Sequence, residues 1–391
     1  MQRFTGNFTQ QEPMPEASVT AALEVMGHGR LHRYNLADDE AGETALLEAE
    51  FAAFTGARFA LAVASGGYAL ATALRALDIT PGAPVLTNAF TLAPVPGAIA
   101  AVGAKPVFVE TAEALTIDLD HLATQAEATG AKVLMLSHMR GHQPDMDATM
   151  AIAGDLGLTV IEDCAHSMGG ASNGVVSGRH GAIACYSTQT YKHINSGEGG
   201  LLITDDAELA ARATLLSGSY MLYERNGASP SAEVFEALRD VTPNISGRMD
   251  NLRAAILRPQ LADLPRQVAR WNTLHATMEA ELAQVEGLRL IERAPTLERV
   301  GSSFQFRLPG HTADDIADVV ARCAARGVEL KWFGAERAQG FTSTYRHWAY
   351  ATSADLPQTD RVLSGLIDMR LPLTFSTDDC KVIAGIIRED L

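Results

Sequence analysis

The chain has 391 residues, which is beyond the size at which a single core keeps growing, so two domains are expected. Its 47% hydrophobic and 20% charged residues fit an ordinary soluble globular protein, and its net charge of −16 argues against a nucleic acid or an anionic membrane surface as partner. There is no apolar run long enough to span a bilayer, no signal-peptide core in the first residues and no C-x-x-C spacing among Cys164, Cys185, Cys323 and Cys380, so a cytoplasmic protein without a disulfide framework or metal site is expected.

In chain order, the first 45 residues hold one helical run, Ala17 to Met26, and then a polar segment. From Ala45 the pattern becomes regular. Helix Leu46 to Phe54 precedes strand Phe59 to Ala64, and Ser65-Gly66-Gly67 opens a helix that runs to Leu77. Strand Pro84 to Thr87, helix Ala93 to Val102 and strand Pro106 to Val109 follow. Helix Leu119 to Thr129, strand Lys132 to Ser137, helix Met146 to Leu156 and strand Thr159 to Glu162 continue the alternation. Short apolar runs separated by amphipathic helices predict parallel strands with helical crossovers, an α/β sheet covered on both faces. Ala182 to Tyr186 and Leu201 to Thr204 are expected to join the same sheet.

Beyond Asp206, a helix runs to Leu216, an irregular stretch holds helix Ala232 to Leu238, and a long helical region covers Asp250 to Val285. Pro259 and Pro265 predict a kink or break in that region. The remainder reads as α+β, with strands Arg289 to Glu292, Ser303 to Leu308 and Glu329 to Trp332, helix Ala313 to Arg326 and a last helix from Thr377. The expected division is residues 1–260, carrying the main sheet and an N-terminal arm, and residues 261–391, a smaller domain.

Three stretches carry chemistry. Ser65-Gly66-Gly67 follows a strand and opens a helix, where backbone N–H groups bind a phosphate; an ordinary turn is the alternative. In T-V-I-E-D-C-A-H, Asp163 stands at the C-terminal end of a strand, the edge where open α/β sheets bind ligands, and His166 lies three residues on. A capping role for Asp163 is the alternative. The third is C-Y-S-T-Q-T-Y-K-H-I-N-S-G-E-G-G-L-L-I-T, where Lys192 sits between two strands with Ser187 five residues before it. A lysine amine freed of its proton by desolvation and a neighbouring cation forms a Schiff base with an aldehyde cofactor. A solvated loop lysine is the alternative. Taken together, phosphate donors, a carboxylate, a second hydroxyl and a lysine are the parts that a pyridoxal 5'-phosphate (PLP) site requires.

The chain resembles the DegT-type family of PLP-dependent sugar aminotransferases from about Leu47 to its C-terminus. The resemblance rests on F-A-A-F-T-G-A-R-F-A-L-A-V-A-S-G, V-I-E-D-C-A-H, H-M-R-G-H-Q-P-D-M-D and S-T-Q-T-Y-K-H-I-N-S-G-E-G-G. It implies fold type I, with a mostly parallel seven-stranded sheet in the large domain, and a homodimer with shared sites. By the same resemblance, Lys192 is the Schiff-base lysine, Asp163 partners the pyridine nitrogen, His166 lies near the phenolic oxygen, and Ser187, Gly66 and Gly67 bind the phosphate. His138 falls on the histidine of the family's H-L-Y-G.

Four positions depart from the family pattern. Gly67 replaces a threonine. Leu92 stands where an aromatic stacks on the cofactor ring, with Phe90 packing in the core. Ser217-Gly218-Ser219-Tyr220 replaces R-N-H-G. Ser246 stands where an asparagine reaches a neighbouring subunit's phosphate, with Arg248 retained. The implied activity is amino transfer from an amino acid, glutamate or glutamine by family habit, to a ketone or aldehyde of a sugar-like acceptor. Two alternatives are dehydration or deoxygenation on the same cofactor, for which the family replaces the lysine by histidine, and a PLP-binding regulatory protein without turnover. In the C-terminal part, Lys331, Trp332, Arg346, His347 and Trp348 are read as core or solvated groups in preference to substrate contacts.

Overall fold

The structure, a computed structural model, describes residues 2–37, 40–351 and 354–391. Helices α1 (Glu16–His28) and α2 (Glu43–Thr55) precede β1 (Phe59–Val63), α3 (Gly66–Ala76), β2 (Pro84–Asn88), α4 (Pro94–Ala101) and β3 (Lys105–Val109). Next come α5 (Leu119–Thr129), β4 (Val133–Ser137), α6 (Met146–Leu156), β5 (Thr159–Asp163) and a short hairpin of β6 (Ala171–Ser172) and β7 (Val175–Val176). Strands β8 (Ile183–Ser187) and β9 (Gly200–Thr204) are followed by α7 (Ala207–Ser217), α8 (Ala232–Leu238) and α9 (Asn251–Leu282). The C-terminal part holds β10 (Arg289–Leu290), β11 (Leu297–Glu298), β12 (Ser303–Arg307), α10 (Ala313–Ala325), β13 (Lys331–Trp332), α11 (Pro357–Ser364), β14 (Leu366–Arg370) and α12 (Thr377–Asp390). Side-chain caps fix where several helices begin: Ser65, Asp118, Asp145 and Asp206 each accept the N–H three residues on.

The main sheet has seven strands in the order β1-β9-β8-β5-β4-β2-β3. Strands β3, β2, β4, β5 and β8 run parallel, as the strand–helix alternation predicts. Strand β9 belongs to the sheet but runs antiparallel to both β8 and β1. The cause lies in the connection: residues 188–199 contain no crossover helix, so the chain can only turn back beside β8. Helix α3 packs on one face in a core with Leu61, Val85, Met135 and Ile161. Helices α2 and α9 cover β1, β8 and β9 from the other face, around Phe51, Tyr186 and Leu257.

Helix α9 differs from expectation, running unbroken through Pro259 and Pro265. A proline leaves the carbonyl four residues earlier without its donor and crowds the turn before it. In the next position the Ile256 carbonyl accepts from Ser18 Oγ of α1 and from Gln260 Nε2, both at 2.8 Å, which ties the proline-containing turn to α1.

A second sheet, β10-β12-β14-β13, is antiparallel throughout, with α9, α10 and α12 around its core. Its inner strand β14 and helix α11 were not anticipated. The first residues also end here. Phe4 and Phe8 pack edge-on against Phe375 with ring centroids 5.0 Å away, and the Phe4 N–H donates to the Arg326 carbonyl at 2.8 Å. No described helix is long and apolar enough to cross a membrane.

Candidate active site

Parallel pairing aligns the ends of neighbouring strands. Ser137 of β4 pairs with Asp163 of β5, and Asp163 with Cys185 of β8, so Ser137, Asp163 and Ser187 come out along one sheet edge. The N-terminus of α3 meets the same edge. Ser65 Oγ accepts the Tyr68 N–H at 3.1 Å and the Ser65 carbonyl accepts the Ala69 N–H. The N–H groups of Gly66 and Gly67 are left without an intrahelical acceptor.

Glycine is required here by close approach. A Cβ on Gly66 would lie 2.8 Å from Ser187 Cβ, and one on Gly200 would lie 2.4 Å from the Ser65 carbonyl oxygen. The lysine-bearing loop and the start of α3 are thus pressed together. Gly67 is different: the nearest atom to an added Cβ, Pro94 Cβ, is 3.9 Å away, so the space for a side chain is open.

Between these elements lies a cavity of about 360 Å³ lined by Gly66, Gly67, Leu92, Asp163, His166, Ser187 and Lys192. Of the eight residues singled out in the sequence, Ser246 alone is not in its lining. It is exposed on the irregular segment before α9.

Asp163 is held by its neighbours. Its Oδ2 accepts from Ser137 Oγ at 2.9 Å and its Oδ1 from the Ala165 N–H at 3.1 Å. Thr91 Oγ1 donates to Ser137 Oγ at 2.8 Å, and Asn88 Oδ1 accepts the Ser137 N–H at 2.9 Å. Sequence reasoning missed this chain of hydroxyls, because isolated Ser and Thr at strand ends carry no motif.

Lys192 Nζ lies 2.7 Å from His166 Nε2. Burial, then the Arg140 guanidinium and more weakly Arg370, push the lysine down to about 7, against the opposing pull of Asp163. Burial and the adjacent Lys192 hold His166 well below the usual imidazole range, so its ring is neutral. The amine is therefore available without its proton near neutral pH.

His138, in contrast, is structural. Fully buried, its Nε2 lies 2.9 Å from Glu162 Oε2. Glu162 also accepts the N–H groups of Gly178, His180 and Gly181 at 2.7–3.0 Å. Burial acts to raise its carboxyl, but these donors outweigh that and hold it well below the usual range. Phe90 is buried against Phe333, and Leu92 lines the cavity in its place. Trp348 is buried beside Phe108 and Arg346 pairs with Asp360; neither they nor Lys331, Trp332 or His347 line this cavity.

The mostly parallel sheet between helices is that of the fold type I PLP enzymes, and the helix start, the strand-end carboxylate and the buried lysine line one cavity at its edge. The chain matches the DegT/DnrJ/EryC1/StrS aminotransferase family over residues 30–388 and belongs to that family, whose cofactor is PLP.

Among its relatives is the UDP-N-acetyl-3-dehydro-alpha-D-glucosamine 3-aminotransferase of Acidithiobacillus ferrooxidans, 33% identical over 294 residues, 68% of this chain and 74% of that one. A pleiotropic regulatory protein of Geobacillus stearothermophilus is 33% identical over 245 residues; the match spans 62% of each chain, less than two thirds of that relative's length. Among solved structures, 3-amino-5-hydroxybenzoic acid synthase superposes with a TM-score of 0.83 at 26% identity, covering 100% of this chain and 99% of that one.

The residues present fit PLP. The cavity lining offers N–H and hydroxyl donors, a buried carboxylate bonded by Ser137, and an amine whose proton affinity is lowered to about 7.

Proposed function

We propose that the protein moves an amino group from an amino acid, glutamate or glutamine, to a keto or aldehyde carbon of a sugar or sugar-like acceptor. The observation that carries this reading is the Lys192 amine, 2.7 Å from a neutral His166, held near 7 and facing a cavity that Asp163 also lines. When bound, PLP supplies an aldehyde that condenses with amines and a ring that takes up the electron pair released at the substrate carbon. Lys192 would hold the aldehyde through its amine and, as a general base and acid, would move the proton at the donor's α-carbon. Asp163, fixed by Ser137 and Ala165, would pair with the ring nitrogen and favour a proton there. His166 stands beside Lys192 as a neutral hydrogen-bonding group. Gly66, Gly67 and Ser187 would hold the phosphate, Leu92 would offer an apolar contact in place of an aromatic, and Ser246 would serve the site of a second copy in a homodimer. The division at residues 1–260 and 261–391 places Lys192 and Asp163 in the larger part. Four buried thiols suit the reducing cytoplasm.

The regulatory reading has one observation in its favour, the printed name of the Geobacillus relative. A free lysine amine is needed to capture the aldehyde in either reading, so turnover has to be tested directly. The experiment that separates the two has a covalent and a catalytic readout. Borohydride is expected to fix the cofactor to the Lys192 peptide, and Lys192→Ala to lose that label; a label elsewhere removes the assignment. Protein charged with an amino donor is then offered a panel of keto sugars and cyclic ketones. Return of the original absorbance with an aminated product supports transfer, and a donor that never changes the spectrum supports the regulatory reading.

A further inference from the structure

Lys192 stands in a stretch, residues 188–199, that holds neither helix nor strand. Backbone bonds close this loop on itself. The Lys192 N–H donates to the Gln189 carbonyl at 2.8 Å, the Ser196 N–H to the Thr188 carbonyl at 3.0 Å and the Thr188 N–H to the Gly199 carbonyl at 2.9 Å. These bonds fix the shape of the loop and not its place in the molecule. Its place is set by the three residues after the lysine. Ile194 is buried in the core around Phe51 and Tyr186. Asn195 is clasped by Gln260 of α9, whose Oε1 accepts its N–H at 3.0 Å and whose Nε2 donates to its carbonyl at 2.8 Å. His193 is tied to the C-terminal part of the chain.

His193, Trp271 and Ser302 line a second cavity of about 110 Å³, which adjoins the first at Lys192 and His166 and has Arg140 and Arg370 on its wall. The His193 ring is buried. Its Nε2 lies 3.0 Å from Ser302 Oγ, and its centroid lies 5.2 Å from that of Trp271 in an edge-on contact. Ser302 stands one residue before β12, and its carbonyl accepts the N–H of Leu371, one residue after β14, at 2.9 Å. The adjoining Gly301 N–H donates to Asn272 Oδ1 of α9 at 2.8 Å. The hydroxyl that meets His193 is thus fixed where two strands of the second sheet reach the cavity. Burial and the adjacent Lys192 push the His193 ring down to about 3, so it is neutral and keeps this contact at every pH where Lys192 titrates.

We propose that His193 is a positioning residue: through Ser302 it ties the backbone of Lys192 to the C-terminal sheet, so that the amine keeps its place while it gives and takes protons. This rests on the reading of Lys192 as the reacting amine. A lysine carries its amine on a flexible four-carbon stem. If its backbone also drifts, the amine loses both its distance to the reacting carbon and its burial, and a misplacement of about 1 Å costs about hundredfold in rate. An irregular loop has no ladder to prevent that drift, so side-chain anchors must.

The test uses the full chain freed of cofactor and follows capture of PLP against pH, by absorbance and by borohydride labelling. His193→Phe keeps the ring against Trp271 and loses the hydrogen bond. Ser302→Ala removes the same bond from the other side with a smaller change of shape. Each is expected to move the midpoint of capture up from about 7 toward the roughly 10.4 of a free lysine, because an amine no longer held in the buried cavity beside Arg140 and Arg370 recovers its proton. His193→Gln, whose amide can meet Ser302, restores the midpoint in part. The double variant shifts no further than either single one, since one contact is lost in all three.

The loaded protein is then given L-glutamate with deuterium at the α-carbon. Both single variants are expected to slow the donor step about ten- to hundredfold and to enlarge the isotope effect, with the donor KM little changed. A variant that only folds less well captures less PLP with the midpoint and the isotope effect unaltered, and that result overturns the proposal even where Lys192 transfers amino groups. Midpoint shifts that add in the double variant overturn it as well. Shifted midpoints in a protein that never exchanges the deuterium leave the positioning of the amine standing and remove the aminotransferase reading.

Discussion

At the residue scale, Asp163 and Lys192 are set by different physics. Asp163 is fixed by donors, with Thr91 acting through Ser137. Asp163→Asn keeps the cavity but loses the charge that stabilises a protonated ring nitrogen, so cofactor retention with a fall in turnover of a hundredfold or more is expected. Ser137→Ala removes one charge-assisted hydrogen bond, of about 1.5–3 kcal/mol, and is expected to lower turnover by about tenfold or more while leaving the borohydride label at Lys192. Lys192 is set by burial and by Arg140 and Arg370. Its amine loses its proton as pH rises through about 7, so capture of PLP by the cofactor-free protein should rise through that pH and not through the roughly 10.4 of a free lysine. Arg370→Leu removes a cation that disfavours the protonated amine, so the midpoint should move up; a midpoint that stays or moves down contradicts this cause. The placement of Asp163 and Ser187 was legible because they end β5 and β8, and that of Gly66, Gly67 and Lys192 because they open the helix after β1 and follow β8 in a loop. Arg140 and Arg370 were not: they are 230 residues apart in sequence by their numbers, and only the docking of β14 brings them to one cavity.

At the scale of elements, helix boundaries followed from capping and apolar period. Helices α5, α6 and α8 fall on their expected residues; Asp118 and Asp145 cap the first two, whose C-termini are closed by Gly130 and Gly157 in left-handed conformation. Strand β14 escaped notice because Asp368 interrupts its apolar run, and a charged residue reads as surface until its partners are known. It is fully buried against Arg140 and Gln305. The direction of β9 was hidden for a related reason, since only the missing helix in its connection decides it.

The glycines at the start of α3 separate steric from chemical roles. Gly66→Ala forces the helix start away from Ser187 and is expected to weaken PLP retention measured by dialysis. Gly67→Thr finds open space and adds a hydroxyl, so retention should rise. The N-terminal segment has a structural part of its own. Phe4→Ala, in the cluster with Phe8 and Phe375, is expected to cost about 3 kcal/mol in denaturant unfolding of the C-terminal part.

At the scale of the whole molecule, two cores stand on either side of the cavities. One surrounds the seven-stranded sheet, and the other holds β12, β14, α10 and α12 together with Phe4 and Phe8. The first supplies Lys192, Asp163 and the helix start, and the second supplies Arg370, so the second cavity exists only where the two meet. The net charge of −16 does not oppose an anionic ligand, because Lys192, Arg140 and Arg370 act within a few ångströms while the acidic surface is screened beyond about 10 Å at moderate salt. The exposed apolar residues Val19, Leu23 and Met26 of α1 suit burial against a second copy. Light scattering is expected to give twice the chain mass.

Transfer of nitrogen through Lys192 can be followed atom by atom. The direct measurement follows ¹⁵N from labelled L-glutamate, or from α-¹⁵N-labelled glutamine, into a keto-sugar acceptor by mass spectrometry. The aminated acceptor is expected to carry the label one-for-one with the keto acid formed from the donor, and Lys192→Ala to yield neither. Unlabelled acceptor beside a donor converted to keto acid and free ammonia, or equal labelling by Lys192→Ala, would contradict it.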